Sequence, residues 1–251
     1  MADPSGISTD RRWQAAGIGA LILAAVVLFG SLAVAHARHE QPMPNVAFAP
    51  LGNQKPKKVV AIGDSFTEST AFGDAGANSW NQMVIRQLRK RGVDINSESS
   101  GEAGSGYVAR GIRGTTFAEE ARRLLEPDDD LVIIFGGSSD APAKPESVEA
   151  AVNDTFLLVR KASPHAKVIA AGPASPVADP APDVTRVRDI IRDEAVKIGA
   201  TFVDPIADKW LVSDPTSIRE DGSPTDAGHA YIAERLMPVI QGVSAPVVPS
   251  S

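Results

Sequence analysis

Two residue groups in this sequence have the types and spacing for nucleophilic catalysis. The first is Ser65, in the segment Ile62-Gly63-Asp64-Ser65-Phe66, directly after a short apolar run typical of a β-strand. A serine at the carboxyl end of a strand lies where α/β proteins build their sites, and it becomes a nucleophile when a neighbouring base accepts its proton. A Gly-Asp-Ser segment also suits a structural turn. The assignment of Ser65 as a nucleophile therefore needs a base elsewhere in the chain.

The base is expected near the other end of the sequence. Asp226 and His229 are three residues apart at the predicted start of a helix, so their side chains share one face. A carboxylate beside an imidazole fixes its tautomer and stabilises the imidazolium, which leaves the other nitrogen free to accept a serine proton. The other three of the four histidines are less suitably placed: His36 and His39 precede the domain, and His165 lies in a predicted loop.

The elements that must position these groups are predicted from hydrophobic periodicity. Short apolar runs alternate with longer amphipathic segments from Lys58 onward. The pattern predicts strands near 59–62, 93–97, 131–135, 168–171 and 201–203, and helices near 79–91, 117–125, 147–162, 184–198 and 226–241. Strands separated by helices predict an α/β fold with a parallel sheet and helices on both faces. Thr225 is the predicted N-cap of the last helix, and Gly199 the predicted C-cap of the helix before it.

Composition excludes several classes of function. The chain has no cysteine, which excludes disulfides, thiolate metal sites and cysteine nucleophiles. A net charge of -6 provides no basic field for a phosphate backbone, so nucleic acid is not an expected partner. No cluster of residues has the spacing of metal ligands. We therefore expect no metal site.

The N-terminal region predicts export. Residues 13–35 carry no charge and are long enough to cross a hydrocarbon layer of about 30 Å as a helix. Arg11 and Arg12 precede this stretch, which predicts a cytoplasmic segment at 1–12 and a domain outside the cell membrane. The alternative is a cleaved signal peptide, because residues 33–37 contain small-x-small cleavage patterns.

The predicted organisation divides the chain into five parts. The cytoplasmic segment and the single-pass anchor (13–35) are followed by a proline-rich spacer at 36–57 and one catalytic domain at 58–242. Residues 243–251 are predicted to form a disordered tail. A catalytic domain on the extracytoplasmic side is expected with either fate of the N-terminal segment, as an anchored protein or as a secreted one.

The two end blocks together resemble those of the GDSL/SGNH hydrolases. That family has a Gly-Asp-Ser block near the start of its domain and an Asp-x-x-His block near its end, and the resemblance covers Lys58 to Gln241. It implies a three-layer αβα sandwich with a flavodoxin-like parallel sheet of about five strands. It also implies ester hydrolysis through an acyl-enzyme on Ser65, with Asp226 and His229 completing the catalytic set and no cofactor.

The family's middle blocks supply an oxyanion hole, which the resemblance assigns to three residues. One donor is the backbone N–H of Ser65 and another is that of Gly104, with Gly106 as the alternative. The third is Ser139, which stands in Gly137-Ser138-Ser139-Asp140 where the family has Gly-x-Asn-Asp. A hydroxyl is shorter than an amide and rotates freely, so we expect a less preorganised donor.

The last block departs from the family as well, since Ser223-Pro224 stands where many members have His-Pro. These departures leave open a catalytically weakened binding module. Small acyl groups on envelope glycans or lipids are the expected substrates, and acyl transfer to a sugar hydroxyl is the alternative reaction. The loops at 68–79 and 174–183 are expected to set specificity. Protonation of His229 at acid pH is expected to lower activity, so a rate that is constant from pH 5 to 8 would count against its role as the base.

Overall fold

The computed structural model describes residues 55–68, 77–212 and 214–244. The strands are β1 (Lys57–Gly63), β2 (Ile95–Gly101), β3 (Leu131–Phe135), β4 (Lys167–Ala171) and β5 (Thr201–Val203). The helices are α1 (Trp80–Lys90), α2 (Phe117–Leu124), α3 (Pro145–Ala162), α4 (Pro182–Lys197) and α5 (Asp226–Ser244). Two short 3₁₀ turns lie at Ser138–Asp140 and Pro215–Ser217.

The five strands form one parallel sheet in the order β2-β1-β3-β4-β5. This is a doubly wound order, in which the chain runs from β1 to β2 on one side and returns to β3 on the other. The switch point lies between the carboxyl ends of β1 and β3, where such folds place their sites. Gly63 at the end of β1 pairs with Gly101 of β2 on one side and with Phe135 of β3 on the other. The predicted α/β fold with a parallel five-stranded sheet is confirmed.

Helices cover both faces of the sheet because strand side chains alternate in direction. In β3, Ile133 and Phe135 pack with α1 and α5, whereas Val132 and Ile134 pack with α2, α3 and α4. All five residues of β3 are buried, as expected for a central parallel strand with both faces covered. The continuous apolar run at 131–135 is explained by this double coverage.

The boundary of β2 differs from the prediction. The sequence pattern places this strand near 93–97, but it runs from Ile95 to Gly101. Val93 donates its N–H to the Leu88 carbonyl in the C-terminal turn of α1, with Gly92 in the left-handed conformation at φ 81°. Because β2 is an edge strand, it carries polar residues that periodicity does not recognise and that discourage pairing with other chains.

Helix ends agree with the capping residues predicted from sequence. The Thr225 hydroxyl accepts the N–H of Gly228 at 3.2 Å, which caps α5. Gly199 is left-handed at φ 65°, and the Ala200 N–H bonds the Ala195 carbonyl at 2.9 Å to close α4. Both α3 and α4 begin two residues earlier than predicted, because each has proline as its first residue.

The predictions for 1–12, 13–35 and most of 36–57 fall outside the described residues, as does most of the predicted tail. In the part of the chain that is described, no helix has the length and apolar character needed to cross a membrane.

Candidate active site

The predicted nucleophile lies in a tight turn after β1. Ser65 is two residues beyond the end of the strand and is half-buried. The Asp64 carbonyl accepts the N–H groups of Thr67 at 2.9 Å and Glu68 at 3.1 Å, and the Asp64 carboxylate accepts that of Phe66 at 3.0 Å. Asp64 therefore fixes the turn that carries Ser65 through both its carbonyl oxygen and its carboxylate.

Asp64 also connects this turn to the loop after β3. Its second carboxylate oxygen accepts the N–H of Gly137 at 3.2 Å. Burial raises the pKa of Asp64 to about 6, against the opposing effect of the two N–H donors. Gly136 adopts φ 130°, and a Cβ at this position would lie 2.2 Å from Asp64 Oδ2. The contact between the two loops thus requires glycine at position 136.

The loop after β2 carries the predicted glycine donors. Gly104 is exposed and left-handed, with φ 78°. Gly106 donates its N–H to the Ala109 carbonyl at 3.0 Å, and a Cβ on it would come within 2.5 Å of the Asp140 carboxylate. Since the N–H of Gly106 is engaged inside its own loop, Gly104 is the better candidate of the two.

Asp140 organises the same loop from the β3 side. Its buried carboxylate accepts three consecutive N–H groups, from Tyr107 at 2.7 Å, Val108 at 2.9 Å and Ala109 at 2.7 Å. Burial raises the pKa of Asp140, and these three donors oppose the shift. Asp140, in the same sequence block as Ser139, therefore holds the loop that carries Gly104 and Gly106. The motif alone did not reveal this role.

Ser139 lies in the 3₁₀ turn that follows β3 and is half-buried. The turn is preceded by Gly136 and Gly137, which are both in the left-handed region of φ. These glycines turn the chain sharply at the carboxyl end of the strand. Ser139 consequently belongs to the same edge of the sheet as the loops after β1 and β2.

His229 is the fourth residue of α5 and is almost completely buried, with 1% of its surface exposed. Burial lowers its pKa to about 4; the negative charge of Asp226 opposes this shift, and the positive charge of Arg219 adds to it. Within the described parts of the chain, His229 Nδ1 is buried and has no hydrogen-bond partner. The imidazole is therefore neutral at pH 7.

The structure brings Asp226 and His229 into one helical turn but does not join them by a hydrogen bond through Nδ1. Instead, Asn78 Nδ2 donates to Asp226 Oδ2 at 2.9 Å. Asn78 was not predicted from the sequence, since it lies 148 residues from Asp226 in a loop without a recognisable motif. It lies within the segment at 68–79 that was expected to set specificity.

The segment before α5 forms a short hairpin. Pro224 makes an antiparallel bridge with Ile218, and the Thr225 N–H bonds the Ser217 carbonyl at 2.9 Å. A Cβ on Gly228 would lie 2.1 Å from that same carbonyl oxygen. The atypical Ser223-Pro224 sequence therefore fits a packed hairpin. This hairpin fixes where α5 begins and so fixes the position of His229.

Among the described residues, no group of three or more His, Cys, Asp or Glu side chains could hold a metal ion. The loops after β1, β2 and β3 carry serines and glycines, and the first turn of α5 carries a histidine and a carboxylate. These residue types suit acyl transfer through a serine.

Comparison with known proteins identifies the family. Residues 61–231 match the GDSL-like Lipase/Acylhydrolase family. A Mycobacterium tuberculosis protein named GDSL lipase Rv0518 is 40% identical over 186 residues, which cover 72% of this chain and 80% of that protein. The family match spans the two end blocks and includes Ser65 and His229.

Two solved structures share the fold. The crystal structure of TesA aligns with a TM-score of 0.62 and 18% identity, over 74% of this chain and 99% of that one. A carbohydrate acetylesterase family member from Sinorhizobium meliloti aligns with a TM-score of 0.56 and 17% identity, over 75% and 99%. At such low identity these structures support the fold alone. Together with the family match and the mycobacterial relative, they identify the chain as a member of the GDSL/SGNH lipase and acylhydrolase family, and thus as a carboxylic ester hydrolase.

Proposed function

We propose that this hydrolase acts through an acyl-enzyme on Ser65. His229 accepts the proton of the Ser65 hydroxyl as its oxygen attacks the ester carbonyl, and the imidazolium then protonates the departing alcohol. Water, deprotonated by the same imidazole, releases the acid and restores the serine. Asp226 orients His229 and stabilises the imidazolium.

The oxyanion of each tetrahedral intermediate is held by the backbone N–H groups of Ser65 and Gly104, with the hydroxyl of Ser139 as a third donor. These groups act by being fixed before the reaction begins, so their value depends on the rigidity of the loops. The buried carboxylates of Asp64 and Asp140 supply that rigidity through five hydrogen bonds from backbone N–H groups.

The observation that carries this proposal is the convergence of three loops at one edge. Gly63 pairs with both Gly101 and Phe135, so the segments leaving β1, β2 and β3 start side by side. They carry Ser65, Gly104 and Ser139. A buried, neutral histidine at the start of α5 supports the assignment of a base, since only the unprotonated imidazole can accept the serine proton.

For the substrate we propose esters of small acyl groups, acetyl above all, on glycans or lipids of the cell envelope. The name of the Sinorhizobium relative, a carbohydrate acetylesterase family member, is consistent with this class. The uncharged segment at 13–35 supports a single-pass anchor, or a cleaved signal peptide, and a catalytic domain on the extracytoplasmic side.

Labelling with a fluorophosphonate probe tests the mechanism, because the probe reacts with an activated serine. We expect labelling of the wild type and its loss in Ser65→Ala and His229→Ala. Matched controls are Ser147→Ala and His165→Ala, which change exposed residues of the same types and should label normally. Labelling that persists in Ser65→Ala would refute the assignment of the nucleophile.

Turnover of p-nitrophenyl esters from acetate to decanoate tests the acyl length, and we expect acetate to give the highest kcat/KM. Product analysis with a sugar acceptor separates hydrolysis from acyl transfer: free acetate supports hydrolysis, and an acetylated sugar supports transfer. A wild-type protein that neither labels nor cleaves these esters would instead favour a weakened binding module.

A further inference from the structure

The position of the Gly104 N–H depends on groups outside Gly104 itself. The residue is exposed, and at its Cβ position the described chain offers contact within 4 Å only to Gly111 Cα, at 3.8 Å. The Ala103 carbonyl, which shares a peptide plane with the Gly104 N–H, accepts the Ile112 N–H at 3.0 Å inside the loop. Contacts with the segment that follows β1 then set the Ala103-Gly104 segment relative to Ser65.

Glu68 makes that connection. Its side-chain Oε2 accepts the N–H of Ala103 at 3.1 Å, one residue before Gly104. Its own backbone N–H donates to the Asp64 carbonyl at 3.1 Å, in the turn that holds Ser65. The two segments are in direct contact, because a Cβ on Gly101 would lie 2.2 Å from Glu68 N. The Glu68 side chain thus links the turn that carries Ser65 to the loop that carries Gly104, beside the bonds that Glu102 N–H and Ser105 Oγ donate to the Gly63 carbonyl at 3.1 and 3.3 Å.

Arg113 restrains the Glu68 carboxylate from the other side. Its guanidinium lies 3.3 Å from Glu68 Oε1 and donates to the Gly101 carbonyl at 2.7 Å. Its backbone N–H donates to the buried carboxylate of Glu102, which also accepts from the Thr115 hydroxyl. The arginine is therefore held at both ends and leaves the glutamate little freedom.

We propose that Glu68 is a positioning residue that sets the Gly104 N–H relative to the Ser65 hydroxyl. The inference rests on the oxyanion role proposed above for Gly104. Because Glu68 acts through the Ala103 N–H, its removal shifts a donor rather than deleting it. Complete loss of one oxyanion donor lowers kcat by about 10²–10³-fold, so a displaced donor should lower it by about tenfold.

The test compares kcat and KM for p-nitrophenyl acetate, with active-site titration to count only folded enzyme. Glu68→Ala should lower kcat about tenfold and leave KM nearly unchanged, because the lost stabilisation belongs to the transition state. Glu68→Gln keeps a carbonyl oxygen for the Ala103 N–H and should stay within about threefold of wild type. A purely structural role would give neither this split nor this rescue.

Two arginines of the same loop provide a matched control. Arg113 pairs with Glu68 and the Gly101 carbonyl, whereas Arg110 pairs with Glu119 and the Gly114 carbonyl. Arg113→Ala should lower kcat, since it frees the Glu68 side chain, and Arg110→Ala should not. Each substitution removes one exposed ion pair, so equal effects on kcat would contradict the proposal.

Binding of phenylboronic acid, which forms a tetrahedral adduct with an activated serine, gives a second measurement. Its Ki should rise in Glu68→Ala by the same factor by which kcat falls. Wild-type kcat in Glu68→Ala, or a Glu68→Gln variant as impaired as Glu68→Ala, would overturn the role of Glu68 while the proposed function stands. A wild-type enzyme that fails to label at Ser65 would overturn the proposed function, and the role of Glu68 with it.

Discussion

At the scale of single residues, the Asp226 carboxylate has two possible partners that differ in what they do for catalysis. One oxygen accepts from Asn78, and His229 Nδ1 lies buried without a partner in the described chain. A hydrogen bond to Nδ1 would stabilise the imidazolium, whereas the bond to Asn78 holds the carboxylate in place without touching the base. In the structure the carboxylate is held by Asn78 and is not bonded to His229 Nδ1.

The pH dependence of kcat/KM should reflect the burial of His229. Its pKa is lowered to about 4, so the imidazole stays unprotonated and able to accept a proton down to that pH. The sequence alone predicts a fall in activity between pH 8 and 5. Because burial lowers the pKa of His229, we instead expect kcat/KM to be nearly constant over that range and to fall on acidification through pH 4. A fall centred near pH 6.5 in a stopped assay would contradict this assignment.

Removal of Asn78 should shift the pH at which kcat/KM falls on acidification. In Asn78→Ala the Asp226 carboxylate loses its amide partner and is free to accept from His229 Nδ1–H, which raises the pKa of the imidazole. We expect the acid limb of kcat/KM to shift upward by about one pH unit. Asn153→Ala, which removes a side-chain amide bonded to Glu194 far from the site, is the control and should leave the limb in place.

The hydroxyl at position 139 should limit the rate. Ser139→Asn introduces an amide donor at the position where the family has one, and a longer, less mobile donor should increase kcat by about tenfold. Ser138→Asn places the same side chain one residue away as a control. A kcat for p-nitrophenyl acetate that is unchanged or lower in Ser139→Asn would show that this position is not an oxyanion donor.

At the scale of elements, the sequence predicts the strands and helices well because the buried apolar residues of most elements follow a regular pattern. The run at 131–135 and the amphipathic helices needed no further information. The ends of some elements were less predictable. The edge position of β2 allows polar residues in this strand, and proline at the first position starts α3 and α4 earlier than the periodicity indicates. The order of the strands required the packing of whole helices against the sheet.

The candidate site divides in the same way. Ser65 and His229 belong to short local blocks and were predicted from them. The contacts of Asp64 with Gly137, of Glu68 with Ala103 and of Asn78 with Asp226 join segments 35 or more residues apart. Such contacts arise only when the strand ends converge, so a single sequence cannot display them.

The start of α5 depends on the absence of a side chain at position 228. In Gly228→Ala the new Cβ would lie 2.1 Å from the Ser217 carbonyl oxygen, so the hairpin or the helix must shift. We expect a loss of about 1–3 kcal/mol in the free energy of unfolding and lower kcat, because His229 is the next residue. Urea denaturation measures the first and an ester assay the second.

Gly242→Ala in the same helix is the matched control. A Cβ there meets nothing within 4 Å of the described structure, so the substitution should stabilise α5 by about 0.5–1 kcal/mol through helix propensity. Equal effects of the two substitutions would mean that the Ser217 contact does not set the position of the helix.

At the scale of the whole molecule, one cluster of exposed ion pairs lies at the end of the sheet opposite the candidate site. Lys57 and Lys58, where β1 begins, form ion pairs with Asp130 and Asp128 at 2.8 and 2.7 Å. The site lies beyond the other end of β1, a distance of roughly 20 Å for a strand of this length. These exposed pairs contribute little to stability at ordinary salt concentration, so the pH response of the fold should come from its buried groups.

Two buried groups, His229 and Asp64, should affect stability in opposite directions. The pKa of His229 is lowered from 6.5 to about 4, so its contribution is present above pH 6.5 and is lost as pH falls to 4. The pKa of Asp64 is raised from 3.8 to about 6, so its contribution is present below pH 3.8 and is lost as pH rises to 6. Each shift corresponds to about 3 kcal/mol.

Substitution of either residue should remove its contribution to the pH dependence of the free energy of unfolding and leave that of the other. We expect His229→Gln to gain stability relative to wild type as the pH falls from 7 to 4, and Asp64→Asn to lose it over the same interval. Urea unfolding at several pH values measures both differences, and taking each variant against wild type cancels the titration of all unchanged groups. The difference from wild type in the free energy of unfolding should therefore change with pH in opposite directions in the two variants. A change in the same direction would contradict the burial assigned to these residues.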